Sequence, residues 1–416
     1  LKLVLFLGNS LQLKNHLFLK KNAITGRLIP AGTGFYANQD ITFNKVLLPE
    51  KSITKKDNLS LKKQLKMKQT KLKKLIKFMY FYHMILVTGG TGLVGGHLLY
   101  RFCESGTPTR AIYRDLKSID KTRAIFNSYG ANKDQLVDEI EWVQGDILEI
   151  PSLEEAMDGI TQVYHCAAIV DGAPFWQMKK ANVTGTSNVI NTAQAHQIEK
   201  LCYVSSIATL GEPVGQRAIN EEDFFNLDAK NSNYAISKYG GEMEVWRATQ
   251  EGMNVIIVNP GVIIGEGNWE SGSGKLFSQT YRKQPFYTDG SSGFVDVRDV
   301  TNAMIQLMNS DIVNERFIIV QSSIHYKEIL SKISHSLKKK APKIMIPKWM
   351  LFLISATMKV GHWIGFNRGL ERATVQSLTS HSKYDGLKIK EYVDFNYTPI
   401  DKSIQRVGFN YLDSLG

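Results

Sequence analysis

MILVTGGTGLVGGHLLYRF, residues 84–102, is the stretch on which the reading of this chain turns. Its first five residues are an apolar run of strand length, and the residues after Gly92 have helical character. Between them Thr88, Gly89, Gly92, Leu93, Val94 and Gly95 form a glycine-rich turn. Glycines at those intervals permit a tight turn, a close backbone approach to a pyrophosphate and close packing of the helix on the strand. The amino terminus of the helix favours the phosphate charge. A glycine motif alone is weak evidence, but a strand before it and a helix after it are the context that gives it meaning.

Downstream the pattern repeats. RAIY (110–113), IEWV (140–143), QVYHCA (162–167), KLCYVS (200–205) and NVIIV (254–258) read as further strands. Segments long enough for helices separate them, among them Gly92 to Glu104, Pro174 to His196 and Tyr234 to Thr249. Alternation of this kind predicts an α/β fold, a doubly wound parallel sheet with crossover helices. The expected division is a dinucleotide-binding domain over 84–260 and a smaller C-terminal substrate lobe over 261–416, with 291–320 returning to the sheet. Ligands in this fold class bind at the carboxyl edge of the strands.

Upstream of Met84 the composition changes. Residues 1–83 hold 17 Lys or Arg and 3 Asp or Glu, a net charge of +14 against +12 for the whole 416-residue chain, so the remainder carries −2. The basicity therefore belongs to the head, and no nucleic-acid partner is expected for the folded body. Lys alternates with Leu, Ser and Gln through 51–77 without a wide apolar stripe, which predicts a solvated linker. NAITGRLIPAGTGF (22–35) resembles the tail of the bacterial RNA polymerase β′ subunit, and the head is expected to be upstream sequence or a fusion scar. Met350 to Phe366 contains Lys359 and His362, so a buried or interfacial helix is expected there, not a membrane span. Cys103, Cys166 and Cys202 form no closely spaced pair, which predicts reduced thiols, no metal site and a cytoplasmic setting.

At the end of the second strand an acidic side chain would hold a ribose 2′-hydroxyl and an arginine would pair a 2′-phosphate. Arg114 follows that strand directly and Asp115 comes next, which favours NADP over NAD. Asp146 and Ile147 after the third strand, and Ala167 and Ala168 after the fourth, stand where the adenine and its ribose would lie.

Tyr-x-x-x-Lys occurs four times, at Tyr113, Tyr129, Tyr234 and Tyr384. Only Tyr234 and Lys238 open a helix soon after a strand ending in a hydroxyl pair, Ser205-Ser206. Positions i and i+4 share a helix face, so phenol and ammonium can reach one cofactor edge. A neighbouring cation would lower the tyrosine pKa and make it a usable acid and base. Ser206 can bond the reacting oxygen, and Asn182 can hold a water linking Lys238 to solvent.

TGGTGLVG, the strand end VYHCAA, YVSSIATLG before YAISK, and NPGVIIGEG together resemble the extended short-chain dehydrogenase/reductase family, the NAD-dependent epimerase/dehydratase group. The resemblance spans 84 to about 410 and implies that Ser206, Tyr234 and Lys238 are the catalytic trio. It also implies that Pro260, Gly261 and Val262 lie near the nicotinamide, and that the acids of GFVDVRDV (293–300) are structural. Dehydratases of the family carry an Asp-Glu pair after the catalytic hydroxyl, where this chain has Ile207-Ala208. Epimerases usually show Val-Tyr-Gly where Thr209-Leu210-Gly211 stands.

Trp269, Phe277, Phe286, Tyr287, Trp349, Phe352 and Trp363 would suit an apolar small-molecule ligand in the second lobe. The expectation is an oxidoreductase that moves hydride between nicotinamide and a ketone or secondary alcohol, nearest the dihydroflavonol reductase and 3β-hydroxysteroid dehydrogenase branch. A nucleotide-sugar epimerase and a non-catalytic NAD(P)-binding sensor are the alternatives, and a homodimer is left open.

Overall fold

The computed structural model describes residues 84–170, 172–282, 285–353 and 372–415. The expectations for residues 1–83, for Trp363 and for most of Met350 to Phe366 lie outside them.

Seven strands form one parallel sheet: β1 (Met84–Thr88), β2 (Thr109–Tyr113), β3 (Glu141–Gln144), β4 (Ile160–His165), β5 (Lys200–Val204), β6 (Val255–Pro260) and β10 (Glu315–Ile319). Their order is β10-β6-β5-β4-β1-β2-β3. The chain leaves β1 toward one side for β2 and β3, then crosses back to lay β4 on the other side. That reversal puts the topological switch point beside the glycine turn.

Helices cover both faces, which is why the strands are apolar almost throughout. Alternate side chains of one strand serve opposite cores. Ile85 and Val87 face a cluster with Leu98, Leu99 and Phe102 of α1 (Leu93–Ser105), Phe126 of α2 (Ile119–Asn127) and Met304 and Leu307 of a helix over 297–308. Leu86 faces the opposite cluster, with Leu153 of α3 (Ile150–Met157) and, further along the chain, Val189 and Ile190. Burying each such side chain contributes about 1.5–3 kcal/mol.

The helical run after β4 consists of α4 (Phe175–Lys179), a wide π turn over Lys180–Gly185 and α5 (Thr186–Ala195). A π turn inside an α-helix often marks a functional site. After β5 comes α6 (Asn233–Gln250), capped at its start by Ser232, whose hydroxyl accepts from the Ala235 amide.

Beyond β6 the chain builds a second layer. β7 (Val262–Ile264) and β9 (Ser291–Asp296) pair with β11 (Ser322–His325) in the order β11-β9-β7, and β8 (Phe286–Thr288) pairs with β12 (Ile344–Ile346). The helices here are α7 (Gly274–Tyr281), α8 (Val297–Met308), α9 (Tyr326–Ser336), α10 (Arg372–Ser377), α11 (Ile389–Tyr392) and α12 (Ile400–Asp413). The expectation for 291–320 is corrected in part. Glu315–Ile319 joins the main sheet and α8 packs on it, but Ser291–Asp296 belongs to the three-stranded sheet. The acids of 293–300 bind structure: Asp296 caps α8 and pairs with Arg406 at 2.8 Å, and Asp299 accepts from the Thr398 amide at 2.7 Å. Of the lobe aromatics, Trp269 and Phe277 pack with Tyr411 in its core, whereas Phe286, Trp349 and Phe352 are exposed.

Candidate functional site

The glycine turn is shaped by contacts that leave no room for side chains. Gly89 has φ +70°, and a Cβ there would lie 2.6 Å from the Ala167 amide nitrogen; one on Gly95 would lie 2.2 Å from the Gly89 carbonyl. Gly92 closes the turn by donating to the Gly89 carbonyl at 3.0 Å and caps α1 without a side chain, so the first amides of the helix stay open. This is a cradle for a phosphate group, and the residues present fit a dinucleotide. Leu93 and Val94 are partly exposed at its rim.

Thr88 is fully buried, and its hydroxyl bonds His165 Nδ1 at 2.6 Å and accepts from the Ala167 amide at 3.3 Å. It braces the ends of β1 and β4. Asp115 accepts from the Lys117 amide and caps the short turn after β2, while Arg114 is largely exposed and stands 4.0 Å from Asp146. Asp146 orders its own loop through the Leu148 amide at 3.0 Å. Ile147 packs against the π turn, where a Cβ on Gly185 would come within 2.5 Å of its side chain.

At the carboxyl end of β5, Ser206 is extended, and its Oγ accepts from the Ala208 amide at 3.1 Å. Burial raises the Tyr234 phenol pKa, and the neighbouring Ser206 hydroxyl opposes the rise. The expectation that Lys238 lowers it is therefore not what dominates. The Lys238 ammonium donates to Tyr203 Oη at 2.7 Å and to the Val204 carbonyl at 2.8 Å. Burial pulls its pKa down to about 7, against the opposing charge of Glu242. Of the other Tyr-x-x-x-Lys pairs, Tyr129 bonds His97 at 2.6 Å and Lys388, partner of Tyr384 in the motif, pairs with Glu315 at 2.6 Å.

Asn182 and Ser205 both have partners that the sequence does not show. Asn182 is buried in the π turn with its side chain fully engaged: Oδ1 accepts from the Ile169 amide at 2.7 Å, and Nδ2 donates to the Ile169 carbonyl and to Ser237 Oγ, both at 2.9 Å. It ties the loop after β4 to α6. Ser205 donates to Glu242 Oε2 at 2.5 Å. Pro260 ends β6, and Gly261 is pressed against the small sheet, where a Cβ would lie 2.5 Å from the Gly293 carbonyl; Val262 then pairs with Phe294.

Sequence reasoning missed His165, Tyr203 and Glu242. His165 is buried between Thr88 and Thr186, and burial lowers its pKa to about 3, so it stays neutral. Glu242 follows Lys238 at the same spacing that joins Tyr234 to Lys238, a signal that extending the helical period would have found. Among the described residues Asp289, His325 and His381 bring ligand atoms within 4.8 Å of one another. There His325 already caps α9 through Nδ1 and bonds Asp289 through Nε2 at 3.0 Å.

The description NAD dependent epimerase/dehydratase family matches residues 85–319. The chain belongs to that family. It is a family of NAD(P)-dependent enzymes of the extended short-chain dehydrogenase/reductase kind. The chain is 30% identical to a putative dihydroflavonol 4-reductase of Synechocystis sp. over 64% of its length and 75% of that protein. It is 25% identical to cinnamoyl-CoA reductase 1 of Petunia hybrida over 60% of its length and 76% of that protein. A nucleoside-diphosphate-sugar epimerase of Pseudomonas aeruginosa shares the fold with a TM-score of 0.65 at 18% identity, covering 80% of this chain and 98% of that one. Among the described residues no helix is long and apolar enough to cross a membrane.

Proposed function

We propose that this protein is an NADPH-dependent reductase of an apolar or aromatic ketone or aldehyde, working through Ser206, Tyr234 and Lys238. The observation that carries the substrate class is the surface immediately after Ser206. Ile207 is buried there with Val320, and Leu210 and Tyr384 pack partly buried against them, so the segment is apolar where a dehydratase would carry an acid pair. Similarity to proteins named as dihydroflavonol and cinnamoyl-CoA reductases supports the same class.

In this reading the amides at the start of α1 and the turn at Gly89, Gly92 and Gly95 hold the pyrophosphate, and Ala167, Ala168, Asp146 and Ile147 border the adenosine end. Arg114 accepts the 2′-phosphate, since its neighbour Asp115 is occupied by its own turn. When bound, the nicotinamide cofactor supplies the hydride. Ser206 Oγ and Tyr234 Oη both donate to the substrate oxygen. A phenol is protonated at neutral pH and burial raises its pKa further, so Tyr234 starts as the acid and gives its proton to the oxygen as the carbonyl is reduced. Lys238, held on the same helix face, stabilises the resulting phenolate.

The test is a substrate panel on purified protein. An aryl ketone or aldehyde should oxidise NADPH, read at 340 nm, and UDP-glucose and UDP-galactose should not interconvert. Epimerisation of either sugar nucleotide would overturn the substrate class.

A further inference from the structure

Glu242 lies on α6 one turn beyond Lys238, fully buried, with five side-chain donors directed at it. Oε2 accepts from Ser205 Oγ at 2.5 Å, Thr209 Oγ1 at 2.7 Å and Asn259 Nδ2 at 3.0 Å. Oε1 accepts from Trp246 Nε1 and from Arg316 Nη1, both at 3.3 Å. Removing a carboxylate from water is costly unless it is paired and bonded on all sides, and here it is. Arg316 is itself buried on β10 and anchored to the Glu221 carbonyl.

Bracing the core would account for Arg316 and Trp246 but leaves the other partners unexplained. Asn259 Nδ2 also donates to the Ser206 carbonyl at 3.1 Å, and the single Thr209 hydroxyl proton is shared between Glu242 and the same carbonyl, which lies 2.8 Å from Oγ1. Two groups held by one carboxylate thus grip the backbone of one serine. We infer that Glu242 is a positioning residue for the proposed relay: through Asn259 and Thr209 it fixes the backbone of Ser206, and its charge supports the Lys238 ammonium one turn away. The inference rests on the relay reading above.

The groups around Lys238 are Tyr203 and the Val204 carbonyl of β5, His165 and Cys166 at the end of β4, and Tyr234 and Glu242 on its own helix. His165 is held neutral, and burial pushes the Cys166 thiol up to about 12. Glu242 is the carboxylate whose charge raises the Lys238 pKa against burial, so removing it makes Lys238 lose its proton at lower pH.

The experiment compares Glu242→Gln, Asn259→Ser and Tyr234→Phe with the wild-type full chain. It uses the aryl ketone turned over best in the panel, and NADPH oxidation is followed from pH 5.5 to 9.5. Glu242→Gln should lower kcat about tenfold or more and move the alkaline limb of the kcat profile down by about one pH unit. Asn259→Ser keeps the charge and should lower kcat with the limb unmoved. A folded Glu242→Gln with wild-type kcat and limb overturns the inference. Should Glu242→Gln fail to fold, wild-type kcat in Asn259→Ser overturns it instead. A Tyr234→Phe variant that keeps its turnover sinks the relay itself; a dead Tyr234→Phe beside an unaffected Glu242→Gln sinks only the role of Glu242.

Discussion

The turn between β1 and α1 and the cluster around α6 flank the same sheet edge, and they are built in opposite ways. The turn works by having no side chains: a single methyl on Gly89 or Gly95 would collide with backbone. The cluster works by crowding, with Tyr203, Ser205, Thr209, Lys238, Glu242 and Asn259 bonded to one another away from water. Backbone amides suffice for binding a phosphate, whose charge is fixed. Moving a proton requires groups whose pKa values are set by burial and neighbours. The account therefore divides binding from chemistry between the two regions.

The division is broken most easily at Tyr234. Tyr234→Phe removes the proton donor and should lower kcat by about 10²- to 10⁴-fold, measured by NADPH oxidation with a responsive ketone. Residual turnover within tenfold of wild type would remove Tyr234 from the chemistry.

The crowded region also predicts a pH signature in stability. Lys238 ionises near 7 when folded and at its ordinary value of 10.5 when unfolded, so between those limits the unfolded chain binds more protons. Stability should thus rise with pH across that window. In urea titrations the difference between wild type and Lys238→Met should move in favour of wild type by up to about 1.4 kcal/mol per pH unit. A flat difference would mean that Lys238 is not desolvated.

Gly89→Ala tests the other region. The substitution is strained at φ +70° and meets the Ala167 backbone, so it should destabilise the fold by about 1–3 kcal/mol. It should also weaken NADPH binding while leaving the pH limbs of kcat in place, as calorimetry and a pH profile would reveal. Shifted limbs would show that the two regions are coupled.

The smallest effect is expected at the rim of the turn. Arg114 is largely exposed, and Arg114→Asp should turn a preference for NADPH into one for NADH by about tenfold in kcat/KM. Equal use of both cofactors by the variant would remove Arg114 from the choice.

How legible each region was in the sequence follows from how it is built. A turn made of glycines between a strand and a helix is contiguous, so β1 and α1 were readable, as was the Tyr234–Lys238 pair at helical spacing. The polar network was not. Arg316 reaches Glu242 from 74 residues away and Asn259 from 17, pairings set by strand order and invisible to local pattern. The partners of Thr88 and Ser205, His165 and Glu242, lie 77 and 37 residues away and were equally invisible. The partners of the Asn182 amide, Ile169 and Ser237, come from a loop and a neighbouring helix and were not legible either. The segment 291–296 was assigned to the wrong sheet because its apolar alternation suits either layer.

The division between binding and chemistry is tested most directly by calorimetric titration of NADPH into Tyr234→Phe and Gly89→Ala beside wild type. The account predicts that Tyr234→Phe binds within about twofold of wild type, while Gly89→Ala binds about tenfold or more weakly. Equal weakening in both variants, or weakening in Tyr234→Phe alone, would contradict it.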